Sequence, residues 1–196
     1  MIVLASGSAA RRVMLEAAGV SLTVEVAALD EDSVKQGLRQ QTNNPARAAE
    51  TLAELKAVRV SARHRGALVI GADQMLDQEG EWFDKPADPA AARAQLIRLR
   101  HRTHRLTSAV VAVRDGRRLW YHTDSALLTM RNFSDAFLDG YLETAGDAVL
   151  GAVGAYQLEG LGAQLFLSVD GDFFTILGLP LLPLLDFLRE NGELIP

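Results

Sequence analysis

The run Ala67-Leu68-Val69-Ile70-Gly71-Ala72 constrains this chain more than any other stretch. It is almost continuously apolar and β-branched in its middle. A strand of that kind must be covered on both faces, which calls for a sheet with layers packed against it. The run stops at Asp73-Gln74. A carboxylate directly after six apolar residues would stand at the C-terminal end of the strand, where α/β sheets place ligands. Asp73 read alone serves equally well as a cap for a turn or helix.

Around this strand the pattern alternates. Met1–Leu4 reads as another buried strand, broken by Ser6-Gly7-Ser8 and followed from Ala9 by a helix with Val13, Met14, Ala17 and Ala18 on its apolar face and Gly19 as its stop. A strand that passes through small hydroxyl residues into a helix leaves backbone N–H groups free for an anion, with Arg11 and Arg12 nearby. In isolation the stretch reads as an ordinary strand–helix joint, because it lacks the glycine and lysine spacing of a P-loop. Leu22–Ala27 predicts a strand ending in the acidic cluster Asp30-Glu31-Asp32. Residues 32–44 are polar and give no definite element. Asn44-Pro45 opens a helix to about His64, with Ala48, Leu52, Leu55 and Val58 inward.

Further on, Gly80 centres a hairpin, and a helix is expected over 89–100. Asp115-Gly116 joins strands 103–113 and 118–130, Ser134 caps a helix, and another helix runs from Pro180 to about Glu190. The expected fold is mixed α/β, a central mixed sheet flanked by helices, in one unit.

Bulk properties exclude several function classes. The 196 residues are 48% hydrophobic and 23% charged, ordinary for a globular protein. A net charge of −5 argues against a nucleic-acid partner. No cysteine is present, so thiol catalysis and cysteine-based metal centres are excluded. No apolar run reaches the ~20 residues of a membrane span, and no signal peptide is readable, so a cytoplasmic protein without a membrane partner is expected.

Two more features point to chemistry. Glu31 stands at a predicted strand end as Asp73 does, and two such carboxylates suit a divalent cation or a water to be activated. Of 20 basic residues only Lys35, Lys56 and Lys85 are lysines, and a compact ammonium is useful beside a phosphate. His64 reads as exposed, His104 as a strand-entry residue, and Trp82 and Trp120 as packing residues.

Leu4-Ala5-Ser6-Gly7-Ser8-x-x-Arg11-Arg12, Asp30-Glu31, Leu55-Lys56-Ala57, Gly71-Ala72-Asp73-Gln74, Lys85-Pro86, Gly154-Ala155-Tyr156, Glu159-Gly160 and Gly178-Leu179-Pro180-Leu181 together resemble the Maf family in order and spacing. The resemblance covers essentially the whole chain. It implies a single domain over 1–196 with two lobes around a cleft, related in form to inosine-triphosphate pyrophosphatases. It further implies a hydrolase acting on acid anhydrides, which cleaves a nucleoside triphosphate between the α and β phosphates with Mg²⁺, Mn²⁺ or Co²⁺. By the same resemblance Asp73 matches the proton acceptor, and Ser6, Ser8, Arg11, Glu31, Lys56 and Lys85 match positions that handle phosphate and metal, the metal being assigned to Glu31 and Asp73. Gln74 and Glu159 resemble the 7-methyl-GTP branch more than the dTTP/UTP branch, although Ala10 replaces that branch's tryptophan. An acidic Glu159 would favour a cationic base. A dTTP/UTP enzyme and a non-catalytic nucleotide-binding regulator of division are the alternatives, and a homodimer is compatible with the family.

Overall fold

The computed structural model describes residues 1–195. The elements are β1 (Ile2–Leu4), α1 (Ala9–Ala17), β2 (Leu22–Val24), α2 (Glu31–Gln41), α3 (Pro45–Ser61), β3 (Leu68–Gln78), β4 (Glu81–Phe83), α4 (Pro89–Leu99), β5 (Thr103–Arg114), β6 (Arg117–Met130), α5 (Asp135–Ala145), β7 (Phe166–Asp170), α6 (Phe173–Ile176) and α7 (Leu181–Glu190), with short 3₁₀ turns between α5 and β7. The sheet is mixed, as expected, with strand order β2-β1-β3-β5-β6-β7 and β4 beside β3.

The chain divides into two units: Met1–Gln74, Thr107–Asp124 and Phe173–Pro196 form the first, Met75–Leu106 and Ser125–Asp172 the second. In the first, β1 pairs in parallel with both β2 and β3, Ile2 standing opposite Leu22 and Leu68. Its core joins Ile2, Leu4, Leu15, Ile70, Leu184 and Leu188. A fully buried leucine such as Leu4 contributes about 1.5–3 kcal/mol through apolar area removed from water. Helix α3 lies so close to β3 that a Cβ on Gly71 would stand 2.1 Å from the Ala53 carbonyl oxygen. Only glycine fits there, which explains the break in the apolar run.

In the second unit β4 returns antiparallel along β3 through a turn with Glu79 at φ 55° and Gly80 at φ 87°. These left-handed angles at both central residues match the twist of a two-residue hairpin. Strand β7 pairs antiparallel with β6, with a bulge at Thr129/Met130. Ser134 caps α5 and Asp88 caps α4, each accepting a backbone N–H three residues on.

Several expectations need correction. In α1 the buried residues are Arg11, Met14 and Leu15, whereas Val13 is 55% exposed and Ala17 and Ala18 face solvent. A charged residue on the inner face displaced the apolar stripe read from the sequence. Residues 31–41 form α2, which buries only Lys35 and Leu38, so its helical period is hidden by a lysine in the apolar position. Strand β2 accordingly ends at Val24, and Glu31 opens a helix instead of closing a strand. In α3, Leu55 is 39% exposed and Lys56 takes the inward place. Strand β3 does not end at Ala72 but continues to Gln78, so Asp73 lies mid-strand. His64 is half-buried against Glu25, at 2.5 Å.

Candidate functional site

The site is built in the first unit from the β1–α1 joint, the start of α2, the interior of α3 and the middle of β3. Ser8 ends the β1–α1 connection as the N-cap, its hydroxyl accepting from the Arg11 N–H at 3.4 Å. This cap turns α1 so that Arg11, one turn in, points into the unit and is only 9% exposed. Its Nε donates to the Gly178 carbonyl at 2.7 Å, and its Nη1 to Ser6 Oγ at 3.0 Å and the Ala72 carbonyl at 3.1 Å. Arg11 thereby ties together the serine turn, the middle of β3 and the approach to α7. Gly178 permits the close approach: its φ is 101°, and a Cβ there would be 3.3 Å from the guanidinium. Burial pulls the Arg11 pKa down, while the charges of Asp73 and Glu31 pull it back up. Arg12 is exposed.

The second component is an ion triplet. Lys56 is buried on α3, and its Nζ stands 2.6 Å from Asp73 Oδ1 and 3.0 Å from Glu31 Oε2. Helix α2 positions Glu31 as its first residue, with Asp30 as cap bound to Ser33 by both oxygens. Those hydrogen bonds hold the Asp30 carboxyl below its ordinary pKa. Asp73 is 5% exposed and its Oδ2 has no hydrogen-bond partner among the described residues. A buried carboxylate oxygen left bare costs free energy, and such costs persist where a ligand completes the shell. Sequence reasoning named all these residues. It did not anticipate that Lys56 would bridge the two carboxylates or that Arg11 would brace Ser6, because both depend on contacts distant in sequence.

Gln74 faces its own unit. Its Nε2 lies 2.9 Å from the Ile176 carbonyl, 3.2 Å from that of Thr175 and 3.1 Å from Ser108 Oγ. These contacts fix the β3 backbone beside Asp73.

Lys85 and Glu159 belong to the second unit. Lys85 is exposed between buried Phe83 and buried Pro86, and Gln95 Nε2 holds the preceding Asp84 carbonyl at 2.8 Å. Glu159 is exposed on a tight turn in which Gly160 N–H donates to the Gln157 carbonyl. A Cβ on Gly162 would lie 2.4 Å from that same oxygen, so the turn requires glycine there. Before it come two left-handed residues, Gly154 at φ 79° and Ala155 at φ 60°. A left-handed alanine is strained and must be held in place. Tyr141 Oη donates to the Ala155 carbonyl at 3.1 Å, and Tyr156 Oη lies 2.7 Å from His104 Nε2. His104, 2% exposed, was read only as a strand-entry residue; the ring pair went unnoticed because its members are separated by 52 positions.

Around the parallel-paired strands β1 and β3 the first unit of this α/β protein thus gathers two carboxylates, a buried lysine and a serine-lined helix start. The chain belongs to the Maf family: the family model described as "Maf-like protein" matches residues 1–191. A protein of Paramagnetospirillum magneticum named nucleoside triphosphate pyrophosphatase is 75% identical over 98% of this chain and 100% of its own length. One of Granulibacter bethesdensis with the same name is 51% identical over 98% of both chains. A Brucella abortus protein named 7-methyl-GTP pyrophosphatase is 48% identical over 97% of this chain and 96% of its own length. Among the described residues no helix is long and apolar enough to cross a membrane.

Proposed function

We propose that the chain is a nucleoside triphosphate pyrophosphatase that hydrolyses the α–β anhydride to a nucleoside monophosphate and diphosphate, with 7-methyl-GTP as preferred substrate. The observation that carries this reading is Lys56 held between Asp73 and Glu31, with one Asp73 oxygen bare. The names of the relatives support the reaction class, and that of the Brucella protein supports the base.

A divalent cation fits this donor set. Mg²⁺ is usually held by one or two carboxylates plus substrate phosphates, and Asp73 Oδ2 and Glu31 offer two. Once bound, the ion would supply Lewis-acid stabilisation of charge on the phosphoryl oxygens. The chain's own residues do the rest. Ser6 and Ser8 and the first N–H groups of α1 receive phosphate oxygens. Asp73 accepts a proton from the attacking water, whose oxygen bonds to the α phosphorus as the bond to the α–β bridging oxygen breaks. The electron pair leaves with the diphosphate, whose charge Lys56 neutralises; the family motif assigns Lys85 to phosphate handling as well. Arg11 keeps Ser6 in place and adds a buried positive charge. The acidic Glu159 selects the base by favouring a cationic 7-methylguanine, while Gln74 holds the β3 backbone beside Asp73.

The test is a panel of 7-methyl-GTP, GTP, UTP and dTTP with Mg²⁺ and Mn²⁺, followed by diphosphate release. Hydrolysis fastest with 7-methyl-GTP is the expected result. Dominance of dTTP and UTP would overturn the base assignment, and binding without diphosphate release would favour the regulator reading.

A further inference from the structure

We infer that His104 is a positioning residue for base selection, acting through Tyr156 on the turn that presents Glu159; this rests on the reading of Glu159 given above. The observations all lie within the second unit. His104 enters from β5, with its Nε2 2.7 Å from Tyr156 Oη. The two rings and that of Phe166 form one cluster, His104–Tyr156 centroids 5.6 Å apart and Tyr156–Phe166 edge-on at 4.8 Å. Phe166 opens β7, so the cluster grips the Gln157–Leu165 segment at both ends.

The segment would not keep this shape unaided. Gly154 and Ala155 are both left-handed, and a Cβ on Gly154 would meet Leu76 at 2.6 Å and Tyr156 at 2.7 Å. Strain of this kind persists only where the surroundings over-determine the backbone, and it gathers at ligand clamps. Tyr141 fixes the Ala155 carbonyl and His104 fixes the next side chain. Three residues beyond Tyr156, Glu159 sits exposed at the tip, its turn closed by Gly160 N–H to the Gln157 carbonyl at 3.3 Å and Ala163 N–H to the Gly160 carbonyl at 3.1 Å. A carboxylate that discriminates between bases must be held still, and a rigid second layer supplies that. Burial pushes the His104 imidazole down to about 4, so it is neutral near pH 7 and its bond to Tyr156 does not vary with charge there. His104 Nδ1, buried and without a partner among the described residues, leaves the ring a single hydrogen-bonding task.

The experiment compares Tyr156→Phe, His104→Phe, His104→Gln and Glu159→Gln in the full chain, each checked by thermal melting. Tyr156→Phe and His104→Phe should raise KM for 7-methyl-GTP by about 10-fold, with kcat and the KM for GTP, UTP and dTTP moving less than about twofold. His104→Gln, which can still hydrogen-bond the phenol, should restore part of the loss. In a Glu159→Gln background Tyr156→Phe should add nothing further. An equal KM change for every nucleotide, or an undiminished effect without Glu159, would overturn the inference. A readout independent of activity is hydrogen exchange at the Gly160 and Ala163 amides, expected about 10-fold faster in Tyr156→Phe. Unchanged exchange would overturn the positioning role. Faster exchange in a protein with no preference for 7-methyl-GTP would support the clamp and overturn the base assignment instead.

Discussion

The chain holds two buried polar clusters that solve opposite problems. In the first unit Lys56 pairs with Asp73 and Glu31, and Arg11, braced on Ser6, feels the charge of both carboxylates. In the second, His104, Tyr156 and Tyr141 are neutral: burial lowers the imidazole to about 4 and raises the Tyr141 phenol to about 12. Buried charge is retained only where it is paired, and it is useful where a reaction develops charge. Neutral hydrogen bonds need no counter-charge and suit holding a strained backbone in one shape. On the proposed reading the first cluster serves the reaction and the second serves placement.

The largest break in that contrast should come from Asp73→Asn. The amide keeps the shape and leaves Lys56 paired with Glu31, so the melting temperature should hold while turnover falls by about 10³-fold. Near-normal diphosphate release would remove Asp73 from the mechanism. Lys56→Met follows. It leaves two carboxylates facing each other without their cation, and denaturant unfolding at neutral pH should show a loss on the order of 3 kcal/mol, tempered because Glu31 is 41% exposed.

A pH series sharpens the other side of the comparison. The folded His104 value, about 4, lies below the ordinary 6.5, so between these values the unfolded chain binds the extra proton. The neutral ring's contribution is full above pH 6.5 and is lost as pH falls towards 4, a change of up to about 3 kcal/mol by linkage. His104→Gln should flatten that part of the stability curve; an unchanged slope would show that other groups set it.

Arg11→Met should cost about 1–3 kcal/mol in chemical denaturation, because it strips the donor from the Gly178 and Ala72 carbonyls. It should also reduce activity, since Ser6 loses its brace. The smallest effect is reserved for Arg12→Ala, within about 0.5 kcal/mol of the parent as expected for an exposed helix residue. Equal losses from both arginines would blur the distinction between them.

Much of this was legible in the chain itself. The apolar run at 67–72, the Asn44-Pro45, Pro89 and Ser134 helix starts, and the Gly80 and Gly116 turns are local signals, because capping and left-handed turn geometry are decided by residues within four positions. The motif order likewise carried the family, and with it Ser6, Glu31, Lys56 and Asp73 as candidates. Tertiary structure decided what those residues touch. Helix α2 escaped because Lys35 sits in its buried stripe, and α1 was turned by Arg11 because a guanidinium with three hydrogen bonds can occupy the inner face. A lysine placed between Glu31 and Asp73, and a histidine bound to a tyrosine 52 positions away, leave no trace in any local window. Secondary structure is set by short-range backbone preference. The pairing of buried polar groups is set by which partners the packed sheet brings within three ångströms.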